Sequence, residues 1–261
     1  MEWPGTLLRH ASTRVQDRPE PAGARSIATT IRERIRGARD LLFDALKASG
    51  ATALIEAALA CNGRPLLFAG AVRDAVFTVE HGTEVRSPRD LDVGLVGMPR
   101  EAFDGLLREL GAEPNRYGGY RVIQLGAPPL DVWRLEETLG LGVHNAPCEL
   151  VNILRSFVLD INAIVFDPLS GFFHACGAVE AIRARRVGLT EGVLLHSADT
   201  FAAKAILSAI RFSLTPSASL EQFVWRYLRP ATLAYEVSKS FGPQVYIQEH
   251  SGPAAESANE T

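Results

Sequence analysis

The sequence predicts an α/β (α+β) fold in which a small mixed sheet has flanking helices and is followed by a helical C-terminal region. Apolar residues recur at helical spacing from Ser26 to Cys61, interrupted by Gly50, and again after Val187. Between these two parts, short apolar runs alternate with helical patterns. Helices, then a mixed section, then helices is the order expected of an α/β core with a helical cap.

The first half of the mixed section predicts two strands and two helices. Leu66 to Phe68 is a short apolar run, typical of a buried strand, and Ala71 to Phe77 has the pattern of the first turns of a helix. Leu91 to Val96 predicts the next strand. Pro99 suits the first position of the following helix, and Gly111 ends that helix.

The second half predicts three more strands. Tyr120 to Leu125 and Leu130 to Leu135 are expected to pair around a turn rich in glycine and proline. Phe157 to Phe166 predicts another strand, and Pro168 to Gly171 turns the chain. An amphipathic helix in the C-terminal region continues until Pro230 interrupts it.

Composition divides the chain into four segments. Residues 1–25 lack periodicity and predict a loose N-terminal arm, while residues 26–190 form the mixed core domain with its N-terminal helices. Residues 191–243 predict a helical C-terminal region. Residues 244–261 contain no lysine or arginine and predict a disordered tail.

Charge and cysteine usage exclude several classes of protein. The net charge of -3 excludes an overall basic protein, so nucleic acid would have to bind at a local patch. Three widely spaced cysteines argue against a disulfide framework and against a structural zinc site. Neither a secretory signal nor an apolar run of the ~18 residues that a membrane helix needs is visible. We therefore expect a cytoplasmic protein with no membrane partner.

Two aspartates mark the start of the predicted strand at Leu91. Asp90 and Asp92 are two residues apart in SPRDLDVGLV, and side chains at that spacing on a strand project to the same face. Two carboxylates held so close favour a neutralising cation, and hard oxygen ligands suit Mg²⁺ or Mn²⁺. Turn-capping or solvent-facing aspartates are the other interpretation.

A third aspartate lies in a later apolar strand. Asp131 is flanked by Leu130 and Val132, where an acidic residue needs either a partner or a function. If it converges on Asp90 and Asp92, the three carboxylates complete a site for two metal ions that activates a hydroxyl and neutralises a triphosphate. The alternative is a salt bridge from Asp131 to Arg134 or Arg121.

A glycine turn precedes these carboxylates. In FAGAVRD, residues 68 to 74, Gly70 follows a predicted strand and opens a helix, whose N-terminal amides favour anions. Arg73 could add a charge-assisted contact to a phosphate. Tight packing of strand and helix is the alternative explanation. No G-x-x-x-x-G-K-[ST] motif is present, which argues against a P-loop NTPase.

The combination G-A-V-R-D followed by R-D-L-D resembles the catalytic head of the poly(A) polymerases and CCA-adding enzymes, within the DNA polymerase β-like nucleotidyltransferase superfamily. The resemblance covers residues 64 to 190 and extends to Asn162 and Ala163 in LDINAIVFDPLSG. It implies a nucleotidyltransferase head domain within residues 26–190. It also implies that Asp90, Asp92 and Asp131 are catalytic metal ligands, and that nucleotide binding falls to Gly70, Arg73 and Asp74.

The sequence also departs from the family. The first glycine of the family's turn is Ala69 here. In the CCA-adding enzymes a helical E-D-x-x-R-x-x-R-A-x-R-F segment selects the base, and the matching stretch here is FAAKAILSAIRF. This match puts Ala202 and Ala205 at the two base-reading positions of the family's segment, and Ser208 at the position of its next arginine. The sequence also lacks the family's long helical body, so we expect a stand-alone or divergent head.

The sequence therefore predicts a metal-dependent nucleotidyltransferase that uses an NTP and two Mg²⁺ or Mn²⁺ ions. It would transfer a nucleoside monophosphate to an acceptor hydroxyl and release pyrophosphate. RNA or tRNA is the expected acceptor, with a protein or a small molecule as alternatives. A non-catalytic nucleotide-binding or regulatory protein that keeps the same fold is the alternative function.

Overall fold

The computed structural model describes residues 31–33, 35–84, 87–115, 118–138, 141, 146–190 and 197–241. The predicted arm at 1–25 and the predicted tail at 244–261 lie outside these residues. Within the described part of the chain, no helix combines the length and apolar character needed to span a membrane.

Ten strands and nine helices make up the described part of the chain. The strands are β1 (Ile31–Glu33), β2 (Arg64–Phe68), β3 (Leu91–Val96), β4 (Glu113–Pro114), β5 (Tyr120–Val122), β6 (Leu130–Arg134), β7 (Ile164–Asp167), β8 (Phe172–Ala175), β9 (Arg186–Val187) and β10 (Thr215–Pro216). The helices are α1 (Arg36–Ala48), α2 (Ala51–Ala60), α3 (Gly70–His81), α4 (Arg100–Glu109), α5 (Leu150–Arg155), α6 (Ala178–Arg183), α7 (Ala198–Phe212), α8 (Ala218–Tyr227) and α9 (Pro230–Phe241).

A mixed eight-stranded sheet organises the fold, with the strand order β1-β8-β7-β2-β3-β6-β5-β4. Its parallel pair, β3 and β6, is central, and the other neighbouring strands of this sheet run antiparallel. β9 and β10 form a separate parallel pair. This arrangement confirms the predicted mixed sheet with flanking helices and a helical C-terminal region.

The two faces of the sheet are covered unequally. On β3, Leu91, Val93 and Leu95 point into the main core, which also contains buried residues of α1, α3, α4 and α7. The opposite face carries a smaller apolar cluster that includes Leu66 and Phe68. Alternation along β3 puts Asp92 on this second face, because its neighbours fill the main core.

Several predicted elements are confirmed. The strand at Leu91 to Val96 has its predicted bounds, and the short run at Leu66 to Phe68 lies inside β2. The predicted helix at Ala71 is α3, and β5 and β6 pair antiparallel as expected. The division of the chain at residue 190 stays a prediction.

Three predictions of local structure are wrong. Ile31–Glu33, placed in a helical segment, is a strand at the edge of the sheet because it pairs with β8. Phe157 to Phe166 is not one strand: residues Asp160–Asn162 form a 3₁₀ turn, in which the Asp160 carboxylate accepts hydrogen bonds from backbone amides. Pro99 precedes α4 in an extended conformation and is not its first residue.

Candidate active site

The three predicted carboxylates lie at one end of the central strands. β3 is flanked by β2 and β6, and Asp92 is in register with Phe68 on one side and with Asp131 on the other. Because paired residues of neighbouring strands project to the same face, Asp92 and Asp131 stand side by side. Asp90 precedes β3 on the same side, close enough that its charge raises the pKa of Asp92.

A guanidinium group lies between two of these carboxylates. Arg121 of β5 is the cross-strand partner of Asp131. It forms a fork with that carboxylate, Nε to Oδ1 at 2.8 Å and Nη2 to Oδ2 at 2.5 Å. Its Nη2 is also 3.8 Å from Oδ2 of Asp90. The salt bridge weighed as the alternative role of Asp131 is therefore present, and Arg121, not Arg134, makes it.

The electrostatics of the site centre on Asp92. Desolvation by burial, reinforced by the charges of Asp90 and Asp131, raises the pKa of Asp92 to about 7. The indole of Trp133 and the ammonium of Lys204 oppose this rise. Asp92 therefore occupies a position where a further positive charge stabilises the ionised carboxylate.

The donor set suits a divalent cation, although the described side chains do not yet form a cage for one. Hard carboxylate oxygens are ligands that Mg²⁺ and Mn²⁺ prefer. Among the described residues, no three His, Cys, Asp or Glu side chains are arranged as they stand to hold a metal ion. The fork from Arg121 engages both oxygens of Asp131, so that a cationic side chain already occupies this carboxylate.

The turn between β2 and α3 has an unusual backbone. Ala69 has φ 60° and ψ −133°, a conformation that non-glycine residues rarely adopt. Gly70 follows as the first residue of α3, and a β-carbon built there would meet only Nη2 of Arg73, at 3.8 Å. Gly70 therefore leaves space open at the end of β2 that lies beside Asp92.

Arg73 is held by protein groups on several sides. Its Nε donates to Asp74 at 2.8 Å and its Nη1 donates to Asn162 at 3.0 Å. Its guanidinium carbon also lies 4.9 Å from the ring centre of Phe212. Asp74 in turn accepts a second hydrogen bond from Arg211, at 2.9 Å. This network joins α3 to the end of α7, so Arg73 has a structural role whatever it does for a ligand.

α7 brings a cation, and not a base-reading pair, towards the site. Ala202 and Ala205 are completely buried in the main core. Lys204 lies two helical turns before Arg211, which places both on the same face of α7. Asp199, the acidic residue of α7, accepts hydrogen bonds from the amide of Thr200 and the hydroxyl of Thr232. Those contacts fasten the start of α7 to α9.

The structure adds two cationic neighbours to the three predicted aspartates. Lys204 has no predicted role in the site, although its seven-residue spacing from Arg211 is a usable signal. Arg121 is predicted only as one of two partners for Asp131. Its choice over Arg134 depends on strand register, because Arg121 faces Asp131 directly across β5 and β6.

Comparison with known proteins relates this fold to CCA-adding enzymes. No protein-family model and no curated protein matches the chain. Among solved structures, a CCA-adding enzyme in complex with ATP superposes with a TM-score of 0.56 and 16% identity, over 80% of this chain and 51% of that one. The complex of a CCA-adding enzyme with CTP gives 0.54 and 15%, over 79% and 51%. A tRNA-processing enzyme in an apo form gives 0.54 and 18%, over 80% and 54%.

These similarities confirm the fold that the sequence motifs predicted. The chain has the fold of the CCA-adding nucleotidyltransferases and spans about half the length of the solved relatives that it matches. At these levels of identity the likeness concerns the fold, so the chemistry has to be argued from this chain's own residues.

Proposed function

We propose that this protein is a metal-dependent nucleotidyltransferase, which moves a nucleoside monophosphate from an NTP to an acceptor hydroxyl and releases pyrophosphate. The observation that carries the proposal is the register of Asp92 with Asp131 on adjacent parallel strands, with Asp90 beside them. Such a cluster on one sheet face is costly unless positive charge neutralises it, and the paired arginines are two for three carboxylates: Arg89 at Asp90 and Arg121 at Asp131.

Each carboxylate has a distinct part in this proposal. Asp90 and Asp92 would hold divalent ions, and Asp131 would complete the ligand set and orient the attacking hydroxyl. The ions, when bound, would offset charge on the triphosphate and favour loss of the hydroxyl proton. Asp92 contributes a ligand whose ionised form is disfavoured without a cation, because burial and its two acidic neighbours raise its pKa.

The nucleotide would lie between the carboxylates and the start of α3. Gly70 leaves room there, and the amides at the beginning of this helix attract a phosphate group. Arg73 would contact the triphosphate while Asp74 holds its guanidinium in place. Lys204 of α7 adds a positive charge near Asp92. This distribution of charge suits a polyanionic substrate.

The expected acceptor is the 3′ end of an RNA, tRNA included. The described contacts are compatible with any hydroxyl that reaches Asp131, so they do not select the acceptor. The support for RNA is the fold that this chain shares with CCA-adding enzymes. The test is to incubate the protein with each labelled NTP, Mg²⁺ and total cellular RNA, and to measure label transferred to RNA. A protein fraction and a set of hydroxylated small molecules should be assayed in parallel.

One observation favours a non-catalytic nucleotide-binding protein instead. Both oxygens of Asp131 are engaged by Arg121, as in a structural ion pair. A protein that kept this pair closed would bind NTP without transferring it. Metal-dependent label transfer that disappears in Asp92→Asn supports the enzyme. NTP binding that is indifferent to Mg²⁺, without transfer to any acceptor, supports the binding protein.

A further inference from the structure

We propose that Arg121 is a displaceable counter-ion of the carboxylate site. In the metal-free protein it neutralises Asp131, next to the ion pair that Asp90 forms with Arg89, and it releases Asp131 when a divalent cation binds. The inference rests on the proposed function only in taking these carboxylates as the cation site. Its consequence is that Arg121 weakens cation binding, so that removing it strengthens binding.

The geometry of the fork makes Arg121 and a metal ion compete for Asp131. Nε and Nη2 of Arg121 each bind a different oxygen of Asp131, and the 2.5 and 2.8 Å distances are those of charge-assisted hydrogen bonds. A metal ion at Asp131 would meet a like charge within a few ångströms, unless the guanidinium moved. Asp90 faces the same guanidinium at 3.8 Å, but its Oδ2 is bound more closely by Arg89, at 2.8 Å. Arg121 therefore takes the place of a cation at Asp131.

Arg121 and Asp131 differ in exposure, so Arg121 is the partner that can move away. The Arg121 side chain is 42% exposed, whereas that of Asp131 is 11% exposed. The guanidinium can turn towards water and exchange its hydrogen bonds with Asp131 for hydrogen bonds with water, but Asp131 cannot follow it. The backbone at Arg121 is paired with β4 on one side and β6 on the other, so only the side chain has to move. Arg121 can therefore leave at little cost once the cation compensates Asp131.

The test is a titration of the metal-free protein with Mn²⁺, followed by electron paramagnetic resonance or calorimetry, with no nucleotide present. Arg121→Gln should bind Mn²⁺ about tenfold more tightly than wild type, the equivalent of one charge-assisted hydrogen bond. Arg121→Lys should fall in between, because lysine keeps the charge but cannot form the fork.

Arg100→Gln is the matched control, because it removes the same charge from another exposed arginine paired with two acids. Arg100 follows the far end of β3 and binds Asp104 and Glu137. A strand of that length puts it on the order of 20 Å from Asp90. The Arg100→Gln protein should bind Mn²⁺ with the same affinity as wild type. An equal gain in Arg100→Gln and Arg121→Gln would mean that net charge alone is responsible, and would overturn the proposal.

Thermal melting supplies a second readout. In EDTA, Arg121→Gln should melt below wild type, since Asp131 then lies beside Asp92 without its counter-ion, and Mn²⁺ should raise its melting temperature more than that of wild type. If Arg121→Gln does not fold, the smaller affinity gain of Arg121→Lys decides. Equal or weaker Mn²⁺ binding in the folded variants, or binding by none of the proteins, would overturn the inference. Failure of the proposed function has a different signature, namely Mn²⁺ binding without nucleotide transfer.

Discussion

Asp92 and Asp131 lie side by side on the parallel strands β3 and β6, although they are far apart in the sequence and α4, β4 and β5 come between the two strands along the chain. The parallel pairing of these two strands brings their carboxylates to one sheet face, next to Asp90. The pKa of Asp92 responds to both neighbours. The pairing of β3 with β6 is thus the structural basis of the candidate site.

We expect Asp90→Asn and Asp92→Asn each to reduce nucleotide transfer to near background while the fold persists. A neutral amide cannot offset divalent charge, and Asp92 is already disfavoured as an anion in the metal-free protein. Label transfer from NTP to RNA and circular dichroism measure the two effects. Asp40→Asn, an exposed acid on α1 that pairs with Arg39, is the control and should keep full activity. Normal transfer by either site variant would sink the assignment.

Arg73→Ala should weaken NTP binding by about 1.5–3 kcal/mol if Arg73 contacts the triphosphate. Arg73→Lys should rescue it only in part, because lysine lacks the planar fork. The control is Arg211→Ala, which removes the other arginine bound to Asp74. Titration with a non-hydrolysable NTP separates the possibilities. Equal affinities in wild type and both alanine variants would restrict Arg73 to its bonds with Asp74 and Asn162.

Ala69→Gly should stabilise the protein by about 1 kcal/mol. The observed positive φ strains a residue that has a side chain by roughly 1–3 kcal/mol, and glycine adopts it without strain. Glycine also gives the unfolded chain more conformational freedom, which offsets part of the stability gained by relieving the strain. A rise of roughly 2–4 °C in the melting temperature is expected for a chain of this size. Ala53→Gly, in the exposed face of α2, is the control and should lower stability by roughly 0.5–1 kcal/mol. A lower melting temperature for Ala69→Gly would contradict strain at this turn.

The Asp167 carboxylate should stabilise the protein above its unfolded pKa of 3.8 and lose that effect in acid. Burial alone would raise the pKa of Asp167, but hydrogen bonds from Arg64, Ser170 and Leu169 outweigh burial and lower it. A lowered folded pKa contributes stability that disappears as the pH falls through that pKa. Asp167→Asn should therefore cost about 1.5–3 kcal/mol at pH 7.

Urea unfolding at pH 7, 5 and 3 measures that cost. The difference between Asp167→Asn and wild type should be largest at pH 7 and should shrink towards pH 3. Asp40→Asn makes the same chemical change at an exposed salt bridge and should show little difference at any of these values. A difference that is independent of pH would refute the electrostatic explanation.

The protein should not add C, C and A in order to a tRNA that lacks its 3′ end. Base selection needs donors and acceptors that one base satisfies and another leaves unpaired, at ~1–3 kcal/mol for each buried group. Ala202 and Ala205 offer neither and are buried in the core. We expect incorporation of several NTPs at similar rates, or selection by residues outside α7. In vitro extension of a truncated tRNA with single and mixed NTPs tests this, and ordered CCA synthesis would refute it.

Local sequence patterns were sufficient to predict the helices and strands that have one apolar face packed in the core. Leu91, Val93 and Leu95 alternate with polar or small residues, so both the strand and the face that carries Asp92 could be predicted. Short edge strands could not be predicted in this way. Ile31–Glu33 and Glu113–Pro114 are strands because of their partners, β8 and β5.

For the site, the sequence by itself determined that Asp90 and Asp92 lie together at the start of β3, since only one residue separates them. It also determined that Ala69 and Gly70 mark a strand-to-helix turn. Only the tertiary structure decided that Asp131 joins them, that Arg121 binds it, and that Asp74 lies between Arg73 and Arg211. These contacts depend on the register of strands and helices that are distant in sequence. Packing of the whole core sets that register, and no local pattern encodes it.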